Sequence, residues 1–167
     1  MAKLLHPKGW APAIGYANGV SAEGRLVFVA GQVGWDAQSR IVSDDLAAQA
    51  RQALANIVAV LAEGGAKPEH ICRMTWYVVD KDDYAAKRRE IGAAYRDLIG
   101  RHFPAMTLVQ VAALLEEGAK VEIEATAVVP PRRLSAPTPA AERRRRTAGT
   151  ATPSRARPKG AGDRKAP

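Results

Sequence analysis

Three histidines and one cysteine are the residues most often recruited for metal or nucleophilic chemistry, and here they do not form a pattern. His6, His70 and His102 have no metal-ligand spacing among themselves or with Cys72. Cys72 alternates with Met74, Trp76 and Val78, which predicts an inert thiol on an apolar strand face. No glycine-rich phosphate loop, nucleophile elbow or Cys/His pair occurs. No metal and no cofactor is therefore expected, and what remains is carboxylate and guanidinium chemistry. Glu122 lies in a run from Lys120 to Val129 in which Val121, Ile123, Ala125 and Ala127 point one way and Lys120, Glu122, Glu124 and Thr126 the other. Its plain role is a polar strand residue paired with Lys120 or an arginine of another subunit. In a partly desolvated cleft the same carboxylate serves as a general base or acid.

The elements that must position these residues are legible. Tyr16 to Val20 and Arg25 to Gln32 read as a hairpin around Ser21-Ala-Glu-Gly24. Ser43, Asp44 and Asp45 offer a helix N-cap, and Leu46, Ala50, Leu54, Ile57, Val58 and Leu61 then recur at helical spacing until Gly64-Gly65. Ile71 to Val79 predicts a strand. A second helix follows Asp80, with Tyr84, Ile91, Tyr95 and Leu98 as its apolar stripe. Two strands, Ala105 to Ala112 and Lys120 to Val129, complete an α+β order ββαβαββ: a single mixed sheet with both helices on one face. On the other face Met106, Leu108 and Gln110 are expected beside the polar set of the last strand, a mixture suited to a subunit interface.

The 167 residues fit one domain, 1–130, and a tail, 131–167. The tail carries 11 Lys/Arg against two acidic residues, net +9, so the preceding residues are near neutral at −1 and the chain's +8 belongs to the tail. Six of the 11 prolines and no aromatic residue fall there, which predicts disorder. Nucleic acid is a possible partner only through this tail, and stacking residues that would sharpen that reading are absent. The N-terminus Met1-Ala-Lys-Leu-Leu-His6 has no apolar run of signal-peptide length and no segment suits a membrane span. A cytoplasmic protein without a membrane partner is expected.

Ala13-Ile-Gly-Tyr16, Ala30-Gly-Gln32, the helix Ala47-Ala-Gln-Ala-Arg-Gln-Ala-Leu-Ala-Asn56, Phe103-Pro-Ala105 and Val121-Glu-Ile-Glu-Ala125 together resemble the Rid (YjgF, reactive-intermediate deaminase) family over residues 12 to 129. The resemblance implies a chorismate-mutase-like fold and a homotrimer with clefts between subunits. It also implies that Glu122 helps hold an attacking water beside Gly31, making these two the catalytic candidates. Tyr16 and Gln32 match positions that line the family cleft. In the deaminating members an Arg follows Phe-Pro-Ala and grips the substrate carboxylate; here that position is Met106. The family Cys two residues on is Leu108, and the family Ser before Gly-Gln is Ala30, so three changes remove polarity together. Losing a buried bidentate cation costs about 2 to 5 kcal/mol, or roughly 30- to several-thousand-fold in affinity. Arg88 or Arg89 is a candidate replacement, and Trp35 could flatten one wall for a cyclic ligand. The expected activity is hydrolysis of an enamine or imine to a carbonyl compound and ammonia, on a small-molecule substrate other than the usual 2-imino acids. The alternatives are a non-catalytic trimer that binds a small metabolite, and RNA binding or cleavage aided by the tail.

Overall fold

The computed structural model describes residues 2–131; the basic tail expected to be disordered lies outside the described residues. Eight elements follow in order: β1 (Lys3–Leu5), β2 (Gly19–Ser21), β3 (Arg25–Val33), α1 (Leu46–Glu63), β4 (Ile71–Val78), α2 (Lys81–Leu98), β5 (Ala105–Gln110) and β6 (Val121–Val129). The main sheet has the order β3-β6-β4-β5, with β5 parallel to β4 and β6 antiparallel to both its neighbours. The last strand thus fills a slot left between β3 and β4. Both helices pack on one face of this mixed sheet, as the alternation in β6 predicts: Val121, Ile123, Ala125 and Ala127 join Leu54, Ile57, Leu61, Ile91 and Tyr95 in one core.

Helix α1 begins where the cap signal places it. The Asp45 carboxylate accepts the Ala48 amide at 2.8 Å, which satisfies one of the donors left open at a helix start. Its stripe contains Ala47, Ala50 and Ala53, small enough to bring the helix axis close to the sheet. Among these apolar residues sits one fully buried amide, Gln49. Its Nε2 donates to Ser43 O at 2.7 Å and Gly118 O at 2.8 Å, and its Oε1 accepts the Lys120 amide at 2.8 Å. A Cβ on Gly34 would lie 2.5 Å from the Gln49 Cβ and 2.6 Å from its Cα, so glycine is required where the chain leaves β3.

Three expectations are corrected. Strand β2 does not form a hairpin with β3; it pairs antiparallel with β1, Leu4 opposite Val20, as a two-stranded ribbon. The cause is Ala17, whose amide donates to Pro104 O at 2.9 Å and which bridges Ala105, so the chain before β2 is tied to the β5 edge while β3 is the opposite edge. Cys72 is not in the core set. The β4–β6 register shifts between Ile71 and Arg73, and Ile71 takes the buried position while Cys72 is left half-buried. Met106 and Leu108 lie on the helix-facing side of β5 and not beside Glu122, because the parallel register places them opposite Met74 and Trp76. Gln110 also turns toward α2, accepting the Lys81 amide at 3.0 Å. The open face instead carries Glu124, Thr126, Tyr77 and Thr75, together with Leu26 and Phe28, the last 71% exposed.

Replacing Gln49 by Leu, which keeps the volume but strands two carbonyls and an amide, is expected to cost about 3 kcal/mol in equilibrium urea unfolding. Lys87 of α2 contacts Asp45 at 2.6 Å, and its hydrogen bond holds that carboxyl below the usual 3.8. A lowered folded value means stability present above the unfolded value and lost as pH falls through the folded one. The deficit of Asp45→Asn at pH 7 should therefore shrink in unfolding curves taken progressively below about pH 4.

Candidate functional site

The catalytic candidates Glu122 and Gly31 meet at a bulge. From Val29 to Gln32 strand β3 advances three residues while β6 goes from Ala125 to Ile123, leaving one extra residue at Ala30-Gly31. A Cβ built on Gly31 would fall 1.8 Å from Glu122 Oε1, 2.7 Å from its Cδ and 2.9 Å from its Cγ. The carboxylate therefore occupies the space that a side chain at residue 31 would take, and glycine is there to admit it. Glu122 is half-buried on the open face, across from Tyr77. Among the described residues it is in no ion pair. Lys120 is not its partner, since that ammonium donates to the Asp44 carbonyl. An unpaired carboxylate braced against backbone can accept a hydrogen bond from water and take its proton. Gln32 follows Gly31 in sequence, but its Nε2 donates back to Ala30 O and Gly31 O at 3.3 and 3.2 Å.

The binding candidates gather elsewhere. A cleft of about 900 Å³ opens between α2 and the β5 edge, and Tyr16, Arg88, Met106 and Leu108 all line it, with Trp76, Tyr84 and Phe103. Tyr16 reaches it because the Ala17 bridge lays that segment along β5. Trp76 is core, as its strand position predicts, at 2% exposed, yet it also forms part of the wall, edge-on to Tyr84 with ring centroids 6.3 Å apart. Burial pushes the Tyr84 phenol up, with Arg88 nearby acting in the opposite direction. Arg89 and Trp35 line neither this cleft nor the one described next. The carbonyl of Trp35 accepts from Asn56 Nδ2 at 3.0 Å.

Glu122 and Met106 are thus on opposite faces of one sheet, with β4 between their strands. Sequence order does not reveal this split, because β5 and β6 are consecutive but not neighbours. Sequence reasoning also missed the cleft residues Gly92 and Arg96 of α2, although a glycine in mid-helix flanked by arginines four residues either side was a usable signal.

A second cleft, of about 730 Å³, brings together all three histidines, which are far apart in sequence. Each is already engaged. His6 Nε2 is 3.1 Å from Trp10 O, His70 Nδ1 accepts the Lys67 amide at 3.0 Å, and His102 Nε2 contacts Ile71 O at 2.6 Å. No group of three metal-ligating side chains occurs among the described residues. Burial raises the Cys72 thiol, which keeps it protonated and unreactive at neutral pH.

Comparison with known proteins gives one consistent picture. The family model described as endoribonuclease L-PSP matches residues 8–129. A 2-iminobutanoate/2-iminopropanoate deaminase of Salmonella typhimurium is 36% identical over 132 residues, covering 77% of this chain and 98% of that one. The human protein of the same description is 33% identical over 121 residues, covering 71% and 84%. Among solved structures, a Yersinia pestis protein of the Rid family is 35% identical with a TM-score of 0.67, covering 77% and 98%. An Escherichia coli structure with bound serine is 31% identical with a TM-score of 0.56, covering 76% and 98%.

Gly31→Ala is expected to push the Glu122 carboxylate off the bulge at a cost of about 1 to 2 kcal/mol. A crystal structure of the variant with Glu122 in its original rotamer, or an unchanged unfolding midpoint, would contradict the glycine's assigned role.

Proposed function

The chain belongs to the Rid family, and from that premise we propose that it hydrolyses an enamine or imine to a carbonyl compound and ammonia, on a substrate other than the usual short 2-imino acids. The observation that carries this reading is the Glu122 carboxylate seated on Gly31 while the cleft on the other face of the sheet has a thioether at residue 106. Glu122 takes a proton from water as the water oxygen bonds to the imine carbon. The C=N electron pair moves to nitrogen, which takes the proton from Glu122. The hydroxyl proton of the resulting carbinolamine then passes through Glu122 to the amino group as C=O forms and C–N breaks, and ammonia leaves. An enamine enters the same route after protonation at carbon.

In a single chain the water-activating pair and the binding cleft face apart. A homotrimer resolves this if the open face of one subunit lies against the α2–β5 cleft of the next, so that the two half-sites complete each other. Exposed Phe28 and Leu26, and a Thr75 hydroxyl that is buried without a hydrogen-bond partner, favour a covered face. In that arrangement Tyr16, Met106 and Leu108 shape the substrate wall and Arg88 offers the cation that residue 106 lacks.

The Arg that a carboxylate would use is missing from β5, so Met106→Arg is expected to create or raise ammonia release from 2-iminopropanoate generated in situ, with little change in fold. Glu122→Gln should lower turnover of any accepted imine by about 100-fold or more, as loss of a general base does. Saturable ligand binding with no ammonia from a broad imine panel would favour the metabolite-binding alternative.

A further inference from the structure

Helix α2 presents Arg88, Gly92 and Arg96 on one face, spaced four residues apart, and all three line the 900 Å³ cleft. Gly92 is unexpected in the middle of an 18-residue helix, where glycine is markedly less favourable than alanine. Its backbone does not call for it, since it is not among the glycines with positive φ. A Cβ at this position would sit 3.4 Å from Arg96 Nη1. The Arg96 guanidinium therefore folds back over the bare turn, toward Arg88.

Within one chain these two exposed cations have no counter-ion across the cleft. No Asp or Glu of the described residues lines it. Among the described residues neither Arg88 nor Arg96 is in an ion pair, whereas Arg40, Arg51, Lys81 and Lys87 each have a carboxylate partner. Beneath this cationic rim the surface is apolar and aromatic: Trp76, Tyr84, Ile91, Met106 and Leu108. Tyr84 stands edge-on to the buried Trp76 in the cleft wall, and a thioether makes favourable contacts with an added ring. The size lies within the range that accommodates drug-sized molecules and exceeds what a three- or four-carbon acid fills.

We infer that this cleft binds a ring-bearing organic anion, its carboxylate held by Arg88 and Arg96 over the Gly92 notch and its ring against Trp76, Tyr84 and Met106. The inference rests on the deaminase reading only for the step from ligand to substrate, which makes the substrate class an aryl-substituted imine or enamine that carries a carboxylate.

Calorimetric titration of the full-length protein with phenylpyruvate and with pyruvate, the stable oxo counterparts of such imines, tests it. Phenylpyruvate should bind at least about tenfold more tightly than pyruvate, since a buried ring adds a large apolar contribution. Arg88→Met, which keeps the apolar stem, should weaken phenylpyruvate about tenfold. Gly92→Leu should weaken it comparably by filling the notch while both charges remain, with an unfolding midpoint no lower than the parent's. Equal affinities for the two acids, or an Arg88→Met variant that binds like the parent, overturns the inference. The two readings fail separately. Phenylpyruvate binding with these dependences but no ammonia from any imine rejects the deaminase assignment and leaves the anion site standing. Ammonia release from an imine that lacks a carboxylate, without phenylpyruvate binding, does the reverse.

Discussion

One buried amide ties the architecture to the site. Gln49 lies in the apolar stripe of α1, fully enclosed, and its three hydrogen bonds run to the segment before the helix and to the connection that leads into β6. A buried amide is tolerated only when its polar atoms are satisfied, so these bonds fix the three segments relative to one another. Lys120, which donates its amide to Gln49, is two residues before Glu122. The same contact sets where β6 starts, and hence where the carboxylate meets the Gly31 bulge. Gly34 has no Cβ because Gln49 already fills that space. Two glycines on β3 and its exit are thus dictated by side chains from other elements, one by a core amide and one by the candidate base.

The sheet divides the site by simple geometry. Side chains alternate across a strand, and parallel partners share a face, so pairing with Met74 and Trp76 commits Met106 and Leu108 to the helix side. Glu122, out of phase with Ile123 in the core, is committed to the open side. No rotamer change in a single chain joins them. The apolar drift at residues 30, 106 and 108 consequently has two meanings. Ala30 lies on the exposed β3 edge near the carboxylate, while Met106 and Leu108 line a cleft whose cations, among the described residues, come from α2.

Legibility followed the range of the physical cause. Helix α1 was read to within a residue because its cap, stripe and terminal glycines are local. The β6 alternation was correct along its length because one face is buried by both helices. Gly31 and Glu122 were singled out through resemblance, and the structure shows a close steric approach between them. The hairpin failed where a single bridge at Ala17 outweighed a turn signal, and the face of Cys72 failed where a one-residue register shift put Ile71 in its place. Arg88 and Arg89 are adjacent and chemically identical, so only the helical phase against β5 could separate a cleft residue from a solvated one.

What the sequence by itself determined was the two helices, the alternation of β6, the family and the Met at residue 106, since each is encoded in residues close together or in a motif. What only the tertiary structure decided was which faces meet: that β6 slots between β3 and β4, that Met106 turns away from Glu122, and that the Arg88, Gly92 and Arg96 face of α2 borders the cleft with Met106. Strand order and helix phase arise from contacts between segments far apart in the chain, and those depend on how well whole surfaces pack, a quantity no short stretch of residues contains.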